Sequence, residues 1–145
     1  MDGGRPYINY YSERGKIQNR ERARQIIDFS GIRYGNITPT DVDGLIEYHD
    51  KGVAFLEYKY GDTELPFGQR LALTRIADNI QKAGKNSTVL VCEHYVEDCN
   101  QDIQAEKAIV RELYFAGRWY HDGKREVKDV LNGFISFCDE DRKPF

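Results

Sequence analysis

Asp41-Val42-Asp43-Gly44-Leu45-Ile46-Glu47-Tyr48, then His49-Asp50-Lys51-Gly52, then Val53-Ala54-Phe55-Leu56-Glu57-Tyr58-Lys59-Tyr60 is the stretch on which the fold turns. Its last eight residues are strongly β-prone, and Val42, Leu45 and Ile46 give an extended pattern running to Tyr48. The polar, glycine-ended segment between them reads as a turn, so the two runs pair as a hairpin. Side chains alternate with period two along a strand, which puts Asp41 with Asp43 on one face of the first and Glu57 with Lys59 on one face of the second. Charged groups on the core-facing side of strands this apolar carry a large desolvation cost unless they are paired or bound to a cation. The alternatives are a cross-strand ion pair, Asp43 to Lys59 for example, and a working site.

Outward from the hairpin, Gln69 to Ala83 carries Leu73, Ile76, Ala77, Ile80 and Ala83 at helical spacing and stops at Gly84. Ser87 to Cys92 then reads as a short buried strand, and strand, helix, strand implies a parallel pair. On the other side, Lys16 to Phe29 gives a helical signal: Ile17, Ala23, Ile26 and Ile27 share a face, and Arg14, Lys16, Arg20, Arg22, Arg24 and Glu21 crowd the rest. That charge run reads either as a solvated face or as a phosphate-facing patch. Ser30-Gly31 ends it, Ile32 to Thr38 is expected as a short strand or approach segment, and Pro39 breaks it. Residues 1–12 read as an irregular arm and 97–104 as a loop. Ala108 to Tyr114 and Arg118 to Tyr120 form a second hairpin about Ala116-Gly117, and Val127, Val130, Leu131, Phe134 and Ile135 mark a last helix before a polar tail from Asp139 to Phe145. The expected fold is one α/β or α+β domain over residues 1–145, with a mixed sheet flanked by helices.

The chain has 145 residues, 40% hydrophobic and 31% charged, a size and composition that suit a single domain able to bury a core without staples. Net charge is -3, and it is uneven: residues 1–40 hold seven Lys/Arg against four Asp/Glu, the remainder fourteen against twenty. A pI near 5.6 disfavours a general nucleic-acid coat protein. It leaves room for a locally basic groove, or for an acidic site that works through a bound cation. No apolar run approaches the roughly 20 residues of a membrane span, and three cysteines argue against a disulfide framework. A cytoplasmic protein without a membrane partner is expected.

Rival constellations fail on spacing. Cys92, His94 and Cys99 lack a fourth zinc ligand, and neither His49 nor His121 has a Ser or Cys nucleophile placed with it. No glycine-rich phosphate loop is present. Tyr114, Phe115, Trp119 and Tyr120 could stack unpaired bases but read first as core aromatics.

Two carboxylates suit Mg²⁺ or Mn²⁺, which take few protein ligands and complete their shell with water and substrate phosphate. A lysine beside them can hold an attacking water and offset charge on a phosphorane-like transition state. Acid, acid, lysine and metal together point to phosphodiester hydrolysis. Thr40-Asp41-Val42-Asp43-Gly44-Leu45-Ile46 followed by Phe55-Leu56-Glu57-Tyr58-Lys59 resembles the PD-(D/E)XK, or restriction-endonuclease-like, nuclease superfamily. Asp43 and Glu57 lie fourteen positions apart, and the resemblance spans roughly residues 16–93. It implies an αββαβ core and Mg²⁺-dependent cleavage of DNA, less often RNA. It also implies Asp43 and Glu57 as metal ligands, Lys59 as the catalytic lysine, the Tyr58 carbonyl as a further ligand, Gln69 beside the site and Glu21 on the first helix. The Pro-Asp pair itself is absent, since Pro39 is followed by Thr40, so Asp41 stands as the alternative to Asp43. Gly44 favours Asp43 by allowing close approach of substrate, whereas Asp41 is placed to brace the approach loop. The implied partner is nucleic acid, with a homodimer as the default assembly and structure or ends as the cue for recognition. The alternative is a catalytically silent nuclease fold that binds or inhibits, as in phage–host conflict.

Overall fold

The structure, a computed structural model, describes residues 14–140, so the irregular arm expected over 1–12 and the end of the polar tail, 141–145, lie outside the described residues. The chain divides into two units, Met1–Pro39 and Thr40–Phe145.

In the first unit, the helix expected over 16–29 is a single turn, α1, Arg20–Ala23. Asn19 caps it, its side-chain oxygen accepting from the Arg22 N–H at 3.0 Å. A helix this short is unstable alone and extends only when an apolar face is packed. No residue of α1 is buried, and Ile17, Ile26 and Ile27 are exposed. Downstream, the Asp28 carboxylate accepts from the Ser30 N–H at 3.0 Å, a local turn that competes with helical bonding. The strand expected over 32–38 shrinks to a tight turn in which Tyr34 and Ile37 bond each other around Gly35, at φ 63°.

The second unit is α+β, a five-stranded mixed sheet flanked by helices. Its strands are β1 Gly44–Tyr48, β2 Gly52–Tyr60, β3 Asn86–His94, β4 Ile109–Phe115 and β5 Arg118–His121, and they lie in that order across the sheet. β1 and β2 make the expected hairpin, with His49 and Asp50 at φ 49° and 60°, the positive values a tight hairpin turn requires. The expected central helix is α2, Phe67–Lys82, which crosses over to bring β3 parallel to β2. β4 and β5 form the second hairpin, and α3, Val127–Glu140, follows. Among the described residues no helix is long and apolar enough to cross a membrane.

Alternation sorts the core into two layers. Phe55, Val89 and Tyr114 pack with Leu73 and Ala77 of α2 on one face. On the other, Leu90, Cys92, Val110 and Leu113 pack with Val127 and Val130, and Ala54 with Phe134 and Cys138 of α3. Asp139, expected to open the polar tail, belongs to α3. Its carboxylate accepts from the Tyr48 hydroxyl at 2.9 Å and from Lys51 Nζ at 3.1 Å.

β1 opens only at Gly44, so Asp41 and Asp43 both precede it rather than sharing a strand face. The ladder stops there because Asp43 Oδ2 accepts the Tyr58 N–H at 2.7 Å, standing where a backbone carbonyl would be. A Cβ at Gly44 would lie 3.2 Å from Leu56 Cδ1. The absent side chain thus serves cross-strand packing, a simpler reason than substrate approach.

Gly52 has no such latitude, since a Cβ there would overlap Cys138 Sγ and stand 3.1 Å from Phe134 Cζ. Gly52→Ala is expected to lower unfolding free energy by about 1–3 kcal/mol through overpacking. Gly68→Ala, in a helix with nothing within 4 Å of the added carbon, should be neutral or stabilise by less than about 1 kcal/mol. Urea denaturation followed by circular dichroism reads both, and equal effects would contradict the packing described.

Candidate functional site

The register of β2 with β3 sets the chemistry of the α2 face. Phe55 stands beside Val89 under α2; the next pairs on that face are Glu57 with Val91 and Lys59 with Glu93. The face therefore changes from apolar to charged within two residues.

Glu57 is 1% exposed, and its Oε1 has no hydrogen-bond partner. A buried carboxylate oxygen without a donor loses hydration and regains nothing. Burial accordingly pushes the Glu57 carboxyl up to about 7, reinforced by the negative charges of Asp43 and Asp41. Lys59 and a hydrogen bond from the Asp43 N–H pull the other way. Asp43 sits one position before the Gly44–Leu56 pair, so it lies across from Glu57. The Tyr58 N–H donates to Asp43 Oδ2 at 2.7 Å, which ties the Asp43 side chain to the strand that carries Glu57.

Gln69, 8% exposed on the first turn of α2, donates from Nε2 to the Asp41 carbonyl at 3.1 Å. It braces the loop that carries both aspartates. Asp41, Asp43, Glu57, Lys59 and Gln69 are thus gathered in one neighbourhood, while Glu21 lies on α1 in the first unit. The cross-strand ion pair between Asp43 and Lys59 is not formed.

Sequence reading passed over the ion pairs beside this group. Arg70, next to Gln69, pairs with Glu112, and its guanidinium lies 4.2 Å over the Trp119 ring. Arg111 pairs with Glu93 at 3.3 Å and donates to the carbonyls of Gly61 at 2.7 Å and Thr63 at 2.8 Å. A β-bulge at Val91/Cys92 makes this possible. Val110 and Leu113 both face α3, so Arg111 and Glu112 between them both turn to the α2 face, against simple alternation. The available signal was Arg111-Glu112, adjacent opposite charges inside an apolar strand.

The donor chemistry fits a hard divalent cation. Asp43 and Asp41 add negative charge at Glu57 against the single ammonium of Lys59, an excess that a cation would offset, and the orphaned Glu57 oxygen is a ready ligand. Among the described residues no group of three or more His, Cys, Asp or Glu is arranged to hold a metal by itself. Mg²⁺ or Mn²⁺, which bind through one or two carboxylates and keep their waters, suit carboxylates of this kind. Zinc is disfavoured at Cys92, whose thiol burial pushes up to about 12, away from the thiolate that zinc needs. A cleft of about 610 Å³ opens elsewhere, lined by Tyr60, His94, Glu97, Asp98, Cys99 and Ile103 among others. Its two acids repel phosphate, and none of the gathered residues lines it.

The raised Glu57 carboxyl makes stability depend on pH. The folded state holds this proton more tightly than the unfolded state, so ionising Glu57 costs folding free energy as pH rises from about 4.5 to about 7. In EDTA, the parent should lose up to about 3 kcal/mol across that window relative to Glu57→Gln. Parallel stability–pH curves for the two proteins would rule out the burial described. Compared with protein-family models, curated proteins and solved structures, the chain matches none.

Proposed function

We propose that this protein is a metal-dependent nuclease that hydrolyses phosphodiester bonds in DNA, with Asp43, Glu57 and Lys59 as its working residues. The observation that carries the reading is Glu57. Of the three glutamates on its side of the sheet, Glu93 and Glu112 each have an arginine, and Glu57 alone keeps a buried oxygen without a partner. A hairpin, a crossover helix and a parallel strand in succession support it further, since that order resembles the PD-(D/E)XK core without its first helix.

Asp43 and Glu57 would hold Mg²⁺ or Mn²⁺. The Tyr58 carbonyl joins them as a candidate ligand, because in a strand it points to the same edge as the Tyr58 N–H, towards Asp43. When bound, such an ion polarises the phosphodiester and makes a water acidic enough to attack. Lys59 orients that water and offsets charge gathering on the pentavalent phosphorus. Gln69 holds the Asp41 carbonyl and with it the loop that presents Asp43. Cutting both strands of a duplex calls for two such sites, hence a homodimer. The second reading is a silent nuclease fold that binds nucleic acid without cutting.

Single-stranded, duplex and branched DNA incubated with the protein in Mg²⁺ or Mn²⁺ should be cleaved, and Glu57→Ala should abolish cleavage. Asp43→Asn keeps an acceptor for the Tyr58 N–H while removing the charge, and it should lose Mn²⁺ binding and cleavage together, as should Asp43→Ala. Lys59→Ala should bind Mn²⁺ normally but cut roughly 10²–10³-fold more slowly, and Asp41→Ala should retain measurable activity. Calorimetry with Mn²⁺ separates the two readings, because the silent form takes up no metal. Full cleavage by Glu57→Ala would sink the first.

A further inference from the structure

The described part of the first unit, residues 14–39, holds six Lys/Arg (Arg14, Lys16, Arg20, Arg22, Arg24 and Arg33) against Glu21 and Asp28. Every one of these residues is exposed except Phe29, which is half-buried. The segment has no core: Ile17, Ile26, Ile27, Tyr34 and Ile37 are each more than two-thirds exposed. Residues 41–145 carry fourteen Lys/Arg against twenty Asp/Glu, a net negative charge that by itself repels a polyanion. We infer that residues 14–39 are a nucleic-acid-binding arm, which holds the phosphate backbone that the acidic second unit cannot hold alone.

The choice of nucleic acid over an anionic membrane follows from the local backbone. Stable attachment to a membrane surface takes more than cations, and draws on a continuous amphipathic helix with an apolar stripe opposite them or on a lipid chain. Here the helix ends after Ala23, and the Asp28–Ser30 turn follows it, so the isoleucines do not line up as a stripe. A short turn followed by irregular chain can instead follow a phosphate backbone, and a segment without a core can fit itself to that surface on binding. The identity of the polyanion rests on the nuclease reading above, whereas the charge asymmetry does not.

The test is equilibrium binding of a fluorescent duplex oligonucleotide by the full chain in EDTA, read by anisotropy over a range of KCl, so that cleavage plays no part. Replacing Arg20→Gln, Arg22→Gln and Arg24→Gln together is expected to weaken binding about tenfold or more at roughly 0.1 M salt and to flatten the log K against log salt slope by about 2.7. A control removing three cations of the second unit, Lys82→Gln, Lys124→Gln and Lys128→Gln, should change the slope far less. Unchanged binding by the arginine variant, an equal loss in the control, or no DNA binding by the parent overturns the arm. Arginine-dependent binding to phosphatidylserine vesicles in place of DNA would overturn it in favour of a membrane. If Glu57→Gln and the parent both bind DNA through the arm and neither cuts it in Mg²⁺ or Mn²⁺, the nuclease reading fails and the arm stands.

Discussion

Parallel pairing of β2 with β3, Gly52 to Tyr60 against Asn86 to His94, is the constraint from which the remaining architecture follows. Two parallel strands cannot be joined by a tight turn, so a crossover must leave the end of β2 and return to the start of β3. α2 is that crossover, and its apolar side, Leu73 and Ala77, settles over Phe55 and Val89. The crossover also dictates that the first turn of α2 follows closely on the end of β2. Lys59 and Gln69 are ten positions apart in the chain, yet both border the loop of Asp41 and Asp43 for this reason.

Three glutamates and two arginines share the charged end of that sheet face, and their treatment differs. Glu112 has Arg70, which Trp119 also holds in place; Glu93 has Arg111, which ties down the carbonyls of the chain leaving β2. Breaking either pair by removing one partner leaves a desolvated charge behind, so both act as fixed struts. Glu57 is more deeply buried than either glutamate but receives only the Asp43 N–H and the more distant field of Lys59. A fold able to satisfy two acids with arginine and leaving the third short of a donor concentrates its electrostatic strain at one oxygen.

Much of the second unit was legible because its signals are local and strong. The alternating run from Val53 to Tyr60, the helical spacing of Leu73, Ala77 and Ile80, and the apolar Ser87 to Cys92 run each specify one element, and their order forces the parallel pair. The first unit departs from its own periodicity, because Lys16 to Phe29 has helical spacing but no buried face, and a helix without one does not persist. Asp41 and Asp43 read as strand residues, yet the strand begins only at Gly44. The reason is a side chain taking a backbone role, Asp43 accepting from Tyr58, which no hydropathy pattern encodes. Arg70, Arg111 and Glu112 were missed for a different cause. Arg111 reaches Glu93 through a bulge, an extra residue that breaks the alternation by which strands are read, while Arg70 and Glu112 meet across two elements far apart in the chain.

The docking of α3 bears on the order in which the chain is made. Phe134 and Cys138 cover Ala54, Ile46 and Tyr48, and Asp139 fastens to Tyr48 and Lys51. The first hairpin therefore leaves the ribosome with one apolar face bare, and its cover, α3, is made only after β3, β4 and β5. At ordinary elongation rates of about 5–20 residues per second, that face waits on the order of several seconds. α2 and β3 are complete well before then, so the α2 side of the sheet, where Glu57 lies, can assemble while the opposite side is still open to water.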